Sequence, residues 1–295
     1  MVQKLELDNI LNKCNFPPPN SEIHLAVSGG PDSTAMLILA NLAQLIISVH
    51  HVDHGLRENG EAEAHFVSNL ANRFASKFYS YKLSIEDGPN LEARLRKARF
   101  DVLPPGAATG HTMDDQAETV LLQLMRGAGI SGLGAMREGY SHPILGIRRQ
   151  EALAVVKSME IEPLLDPSNS NSRFKRNRVR QELVPLMNNI SDRDVVPLLA
   201  RVAKLCAGDN AFLDSLVVGI DSTDTKVLKS ADEVLSKRAL RNFLKDSQGY
   251  PPSYEELNKA WRVVKGEIKA TELCGGRRLS RSLGKLSLVE SSANT

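Results

Sequence analysis

The sequence predicts an α/β protein: a parallel sheet wrapped by helices, followed by a smaller, mainly helical domain that ends in a β-hairpin. Three observations carry this. Short β-rich runs alternate with helical patterns through the first half of the chain. A glycine-rich turn, Ser28-Gly-Gly-Pro-Asp-Ser-Thr34, sits at the first strand-to-helix junction. Beyond about residue 188 the alternation stops, helical periodicity takes over, and a short alternating stretch closes the chain.

Taken in order, Glu22 to Val27 reads as a buried strand, and Ser33 to Leu45 as the helix after the glycine turn. Leu45 to His50 is a second strand, and Glu61 to Ala75 an amphipathic helix with Phe66, Leu70 and Phe74 spaced by four. Phe78 to Leu83 is a third strand, and Leu91 to Leu103 a helix stopped by Pro104-Pro105. Ala107 to Gly110 is a short fourth strand, and Asp114 to Arg126 a helix ended by Gly127. Ligands of such a sheet belong at the carboxyl ends of its strands. In the second part, Val195 to Leu216, Leu235 to Leu244 and Tyr254 to Val264 read as helices. Gly275-Gly276 precedes an alternation of Leu279, Arg281, Leu283, Leu286 and Leu288, the signature of a hairpin. The expected domains are therefore 1–187 and 188–295.

Composition excludes several classes. With 42% hydrophobic and 24% charged residues over 295 positions, the chain can bury a real core, which argues against general disorder. The longest apolar run, Ala35 to Val49, is broken by Asn41, Gln44 and Ser48, so no membrane span is expected. Lys4, Glu6 and Asp8 interrupt the first dozen residues, which therefore lack a signal-peptide core. Cys14, Cys206 and Cys274 are far apart, which argues against a disulfide framework or zinc ribbon and suits a reducing, cytoplasmic setting. Net charge is +2, but it is unevenly spread: residues 188–295 hold 17 basic and 14 acidic side chains, the remainder 20 and 21. Arg173, Lys175, Arg176, Arg178 and Arg180 form one dense acid-free run. It suits a polyanionic partner, or else a solvated helix face.

The glycine turn carries the chemistry. Gly29 and Gly30 let backbone N–H groups converge on an anion, the helix start adds its positive dipole end, and Ser28, Ser33 and Thr34 add hydroxyls. No lysine follows as it would in a Walker loop. Further on, His111, Asp115 and Glu118 put two acids on one helix face with a histidine just before it. Thr112 and Asp115 also have the spacing of a capping box, so the acids could simply serve the helix start.

Ser-Gly-Gly-Pro-Asp-Ser resembles the pyrophosphate loop of N-type ATP pyrophosphatases, the PP-loop, adenine nucleotide alpha hydrolase-like superfamily. Four further blocks narrow the match: Val49 to Arg57, Asn90 to Phe100, Gly110 to Thr119 and Asp166 to Arg180. In that order they resemble tRNA(Ile)-lysidine synthetases, continuously over residues 23–187 and loosely over the tail. The departures are Thr112-Met113, Phe100 in place of a tyrosine, and a tail too short for the additional C-terminal domain of longer members.

The resemblance implies a ligase acting in two steps. The wobble cytidine of an isoleucine tRNA with a CAU anticodon is adenylated by ATP with release of diphosphate. Free L-lysine then displaces AMP at C2 to give lysidine. It implies that Ser28, Gly29, Gly30, Pro31, Asp32 and Ser33 hold ATP, that Asp32 holds Mg²⁺, and that His111, Asp115, Glu118 and Arg178 form the lysine site, with a carboxylate or His111 taking the amine's proton. Arg96 and Arg99 would stabilise charge at phosphorus or bind tRNA phosphate, unless they are solvated surface arginines. Arg176 and Arg180 would touch tRNA, along with Arg277 and Arg281 of the tail. His50, His51 and His54 end the second strand, where a structural role is favoured over contact with adenosine. The alternative enzyme is another PP-loop ligase such as a tRNA thiolase, and an alternative of another class is an idle nucleotide- or tRNA-binding module. No cysteine lies near a motif, which counts against the thiolase. Oligomeric state stays open, a homodimer among the options.

Overall fold

The computed structural model describes residues 2–53, 55, 60–83, 91–164, 175–246 and 249–290. His54, Arg57, Asn90 and the stretch 166–174, each part of a motif above, lie outside that set. Two compact units divide the chain, Met1–Ala207 and Gly208–Thr295. The division comes later than the change of sequence pattern near 188, a point that falls inside a helix, α9 (Val184–Ser191).

The first unit is built on four parallel strands, β1 (Glu22–Ala26), β2 (Ile46–Asp53), β3 (Lys77–Lys82) and β4 (Ala108–Thr109), in the order β3-β2-β1-β4. The crossovers carry α2 (Pro31–Leu42), α3 (Gly60–Arg73) and α4 (Leu91–Val102), after an initial α1 (Val2–Leu11). Helix α2 is buried from Ser33 to Ala40, because it lies between the sheet and α7 (Arg149–Ser158). That double burial explains why its sequence is apolar all round rather than striped. It starts two residues before the expected Ser33, since proline is pre-organised for the first helical position. It stops at Leu42 because Gln44 takes a left-handed φ of 59°, which turns the chain into β2. Strand β2 outruns its expected end at His50 because β3 pairs with it as far as Asp53↔Lys82.

After β4 come α5 (Met113–Met125) and α6 (Ile130–Leu133), then α7, whose Ala152, Val155 and Val156 are buried at helical spacing. Helix α8 (Lys175–Arg178) continues through a π-helical turn (Val179–Leu183) into α9. Arg176 and Arg180 therefore share a face while Arg178 looks elsewhere, as four-residue spacing on a helix dictates. Helix α10 (Val196–Leu216) follows. Among the described residues no helix is long and apolar enough to cross a membrane.

The second unit holds α11 (Thr225–Ser230), α12 (Glu233–Phe243) and α13 (Tyr254–Lys265), then a sheet of β5 (Ala270–Leu273), β6 (Arg277–Ser282) and β7 (Lys285–Glu290). The expected hairpin is β6–β7, closed by Leu283-Gly284 with both φ positive, and β5 adds a third antiparallel strand. Leu240, Trp261, Val264, Leu279 and Leu286 pack this unit's own core.

Candidate active site

The loop after β1 is held by its own hydroxyls. The Ser28 N–H donates to Ser33 Oγ at 3.2 Å, the Ser33 hydroxyl donates to the Gly30 carbonyl at 3.1 Å, and the Thr34 hydroxyl to the Gly29 carbonyl at 3.3 Å. Gly29 has φ +83°, and a Cβ there would meet Leu164 Cδ1 at 2.7 Å. Gly30 caps α2 without any side-chain hydrogen bond, so the helix start presents backbone donors and its dipole rather than a bonded cap. The loop is also fixed from behind. The Val27 carbonyl accepts from the buried His51 ring at 3.0 Å. A Cβ on Gly110 would lie 2.8 Å from Ser33 Cα and 2.9 Å from Ser33 N, so only glycine lets the end of β4 pass so close to the loop.

That passage decides the site. β1 and β4 are neighbours, with Ala26 opposite Thr109, so the phosphate loop and the His111–Glu118 block leave the sheet side by side. Thr112 and Asp115 do form the capping box: one Asp115 oxygen accepts from the Thr112 N–H and hydroxyl, each at 2.9 Å. The other faces outward, toward arginines. Asp115 is 7% exposed and Glu118 2%.

Three guanidiniums fill the space between these acids. Arg176 Nε donates to Glu118 at 2.8 Å and its Nη2 to Asp115 at 3.2 Å. Arg180 Nε donates to Glu118 at 2.7 Å and its Nη2 to Asp115 at 3.5 Å. Arg149 donates to Asp115 at 2.8 Å, to Glu118 at 3.2 Å and to Asp32, in the phosphate loop, at 3.5 Å. Burial acts to raise the Asp115 carboxyl, but Arg149 and Arg176 outweigh it and hold it below the usual carboxylate range. Asp32 goes the other way. Burial and then the charge of Asp115 push it up from 3.8 to about 6, more than Arg149 pulls it down.

Sequence reasoning missed Arg149 and its neighbour. Arg149 opens α7, and its N–H donates to Asp114 Oδ2 at 2.8 Å. The Arg148 guanidinium grips both Asp114 oxygens at 3.1 Å and also pairs with Asp194. The starts of α5 and α7 are thereby riveted together. No pattern within residues 148–151 signals this, because its partners lie more than thirty positions away. His142 was missed too. It and His111 meet around Thr109, whose hydroxyl is 2.7 Å from His111 Nδ1 and 2.9 Å from His142 Nδ1.

The arginine run divides differently from the sequence expectation. Arg176 and Arg180, expected on tRNA, lie on the acids. Arg178, expected on lysine, pairs with Glu182 at 2.8 Å on an exposed face. Arg99 is stacked against Phe100 at 5.2 Å, and Arg96 lies on α4 with its side chain outside the described set. In the second unit Arg277 is only 7% exposed and donates to the Leu244 and Lys245 carbonyls, so it is a packing residue there; Arg281 lies over Gly266. His50 is structural. It stacks on Tyr79 at 4.9 Å, bonds His24 and Tyr81, and is pushed down to about 4 by burial and by His24.

A divalent ion is implied by the resemblance, and Asp32 suits one. Its Oδ1 is buried with no hydrogen-bond partner, an acceptor placed for a cation. No group of three or more His, Cys, Asp or Glu side chains suited to a metal occurs among the described residues, so phosphates would have to supply the other ligands. Elsewhere in this unit a cavity of about 460 Å³ is lined by Met113, Met136, Arg137, Arg201 and Lys204.

The PP-loop domain family matches residues 2–187. A tRNA(Ile)-lysidine synthase from Nocardia farcinica is 31% identical, over 93% of this chain and 93% of its own. One from Gloeobacter violaceus is 33% identical over 81% and 82%. Among solved structures, the U34-tRNA thiolase NcsA from Methanococcus maripaludis superposes with a TM-score of 0.54, covering 70% of this chain and 79% of its own at 14% identity, a likeness of fold.

Proposed function

Because the chain belongs to the tRNA(Ile)-lysidine synthase family of PP-loop proteins, we propose that it ligates free L-lysine to C2 of the wobble cytidine in an isoleucine tRNA, through an adenylated tRNA. The observation that carries this is the buried Asp115–Glu118 pair one strand away from the phosphate loop. An anion grip and an amine-binding acid pair, side by side, are what such a ligation needs.

Backbone donors of the Gly29–Ser33 loop bind and orient the ATP phosphates; Asp32 would hold a Mg²⁺, which would supply neutralisation of phosphate charge. Cytidine O2 displaces diphosphate, turning a poor oxo leaving group into AMP. The lysine amine then adds at C2 and AMP departs. Asp115 and Glu118 hold the ammonium end of the incoming lysine. The Asp115 carboxylate, held below its usual range by arginines, is a weak proton acceptor, and His111, oriented by Thr109, takes the amine proton.

For tRNA, the cations that face outward carry the argument. Arg137 and Arg201 are exposed and line the 460 Å³ cavity, and on β6 of the second unit Arg278 is exposed and Arg281 half-buried. Phosphate contacts supply affinity with a salt slope of about −0.9 per contact on duplex. The thiolase alternative is not favoured: the Cys14 thiol is pushed up to about 12, chiefly by burial, and no cysteine joins a metal-binding group among the described residues.

The decisive experiment is mass spectrometry of the nucleosides of isoleucine tRNA after incubation with the protein, ATP and lysine. Lysidine at the wobble position is expected. Unchanged cytidine in the presence of all three substrates refutes the proposal.

A further inference from the structure

Three acids and three arginines meet in this site, so in the free protein it has no net charge to attract an ammonium ion. The three arginines are not equivalent. Among the described residues Arg176 and Arg180 donate to Asp115 and Glu118, whereas Arg149 also reaches Asp32 in the phosphate loop. Of the three, Arg149 is the one with hydrogen bonds among the described residues to both the nucleotide side and the amine side.

We infer that Arg149 couples the two substrate sites: it closes the Asp115–Glu118 pair in the free protein and yields it when nucleotide phosphates fill the loop, so that ATP raises the affinity for lysine. The inference rests on the lysine reading given above. Its main chain is fixed, since the Arg149 N–H is bonded to Asp114, so the guanidinium can change partners by side-chain rotation without moving α7. Its bond to Asp32 is the longest of its three, and Asp32 keeps a second, unpartnered oxygen. Nucleotide phosphates at the loop bring a polyanion beside this guanidinium, and a cation taken up by Asp32 repels it from that carboxylate. Both changes favour a rotation of Arg149 toward phosphate, and they vacate part of the acid pair for the lysine ammonium. Arginine suits the task because its planar fork can trade a bidentate carboxylate for a bidentate phosphate.

The test is calorimetric titration of lysine into the whole protein, alone and saturated with Mg²⁺ and α,β-methylene ATP. Wild type should bind lysine about tenfold or more tighter with the analogue, within the range of ordinary coupling energies, and lysine should tighten the analogue by the same factor. In Arg149→Gln the free protein should bind lysine nearly as well as the analogue-bound protein. Arg176→Gln, which loses no contact with the loop, should change lysine affinity in both states alike and keep the coupling. Equal lysine affinity with and without analogue in wild type, or undiminished coupling in Arg149→Gln, overturns the inference. If Arg149→Gln fails to fold, Arg149→Lys serves instead, because an ammonium cannot span three carboxylates; undiminished coupling there is equally fatal. Should lysine bind no protein in any state while the analogue binds normally, the lysine reading falls and takes this inference with it. Should lysine bind without coupling, only the inference falls.

Discussion

The phosphate loop and the acid–arginine cluster lie on neighbouring strands, yet they are built on opposite principles. The loop relies on what is missing: no Cβ at Gly29 or Gly110, no proton donor on Pro31, no side-chain cap on α2. The hydroxyl bonds that shape it, among Ser28, Gly29, Gly30, Ser33 and Thr34, run between residues at most five apart. The cluster relies on what is added, six charged side chains drawn from the loop, α5, α7 and the α8–α9 segment. A site made of backbone tolerates almost no added atom, while one made of balanced charge tolerates no removed one. The two should therefore fail in different ways.

The largest effect is expected at Asp32, the one residue belonging to both regions. Asp32→Ala should lower pyrophosphate release by about a thousandfold, as losses of transition-state charge stabilisation do, with folding retained. Stopped or radiolabelled pyrophosphate assays decide it, and near-normal release from folded variant removes Asp32 from the chemistry.

Gly110→Ala tests the loop without touching any ligand. The new methyl would press on Ser33 backbone, which has no rotamer to escape by, so a stability loss of about 1–3 kcal/mol is expected, with weaker ATP binding. Thermal unfolding with nucleotide titration reads both, and unaltered ATP affinity would show the loop to be softer than its contacts imply.

Glu118→Gln tests the cluster. It leaves three guanidiniums facing one fewer carboxylate in a site where Glu118 is 2% exposed, and breaking buried pairs costs about 3–5 kcal/mol. The Tm should fall, and lysine use should weaken far more than ATP use. An unchanged lysine KM would place the amine elsewhere.

The smallest effect concerns pH. The Asp32 carboxyl titrates near 6 in the free protein, and a cation needs it ionised, so Mg²⁺·ATP affinity should decline as pH falls through 6. ATP itself also gains a proton in that range. The diagnostic is therefore the difference from Asp32→Asn, in which the share of the decline owed to this carboxyl should vanish. A variant with the wild-type pH profile would show that the carboxyl does not titrate there.

These regions also differ in how far they could be read from sequence. The loop was legible because its determinants are consecutive: a strand, two glycines, a proline at the first helical position. The acid pair was legible as a helix face, and the capping box was legible beside it; that Asp115 serves both came only from seeing its two oxygens take different partners. Two acids on one helix face repel, and here three arginines relieve them. Arg149 could not be anticipated, since nothing local distinguishes it from any basic residue opening a helix. The basic run was legible as a run, but which member turns inward depends on helical phase through a π-turn, which composition does not carry. In the tail, Arg277 reads as surface charge by sequence and turns out to be packing, because carbonyls at the end of α12 await a donor.

The rivet at Asp114 has a practical consequence for redesign. One carboxylate fixes both the backbone from which Arg149 swings and the helix that carries Asp115 and Glu118. Anyone seeking to make this scaffold accept a different nucleophile cannot exchange the acids as an isolated cassette. The heads of α5 and α7 would have to be transplanted as a matched set, with Arg148 and Asp114 kept as their shared coupling pin, while the phosphate loop next door is left as it stands.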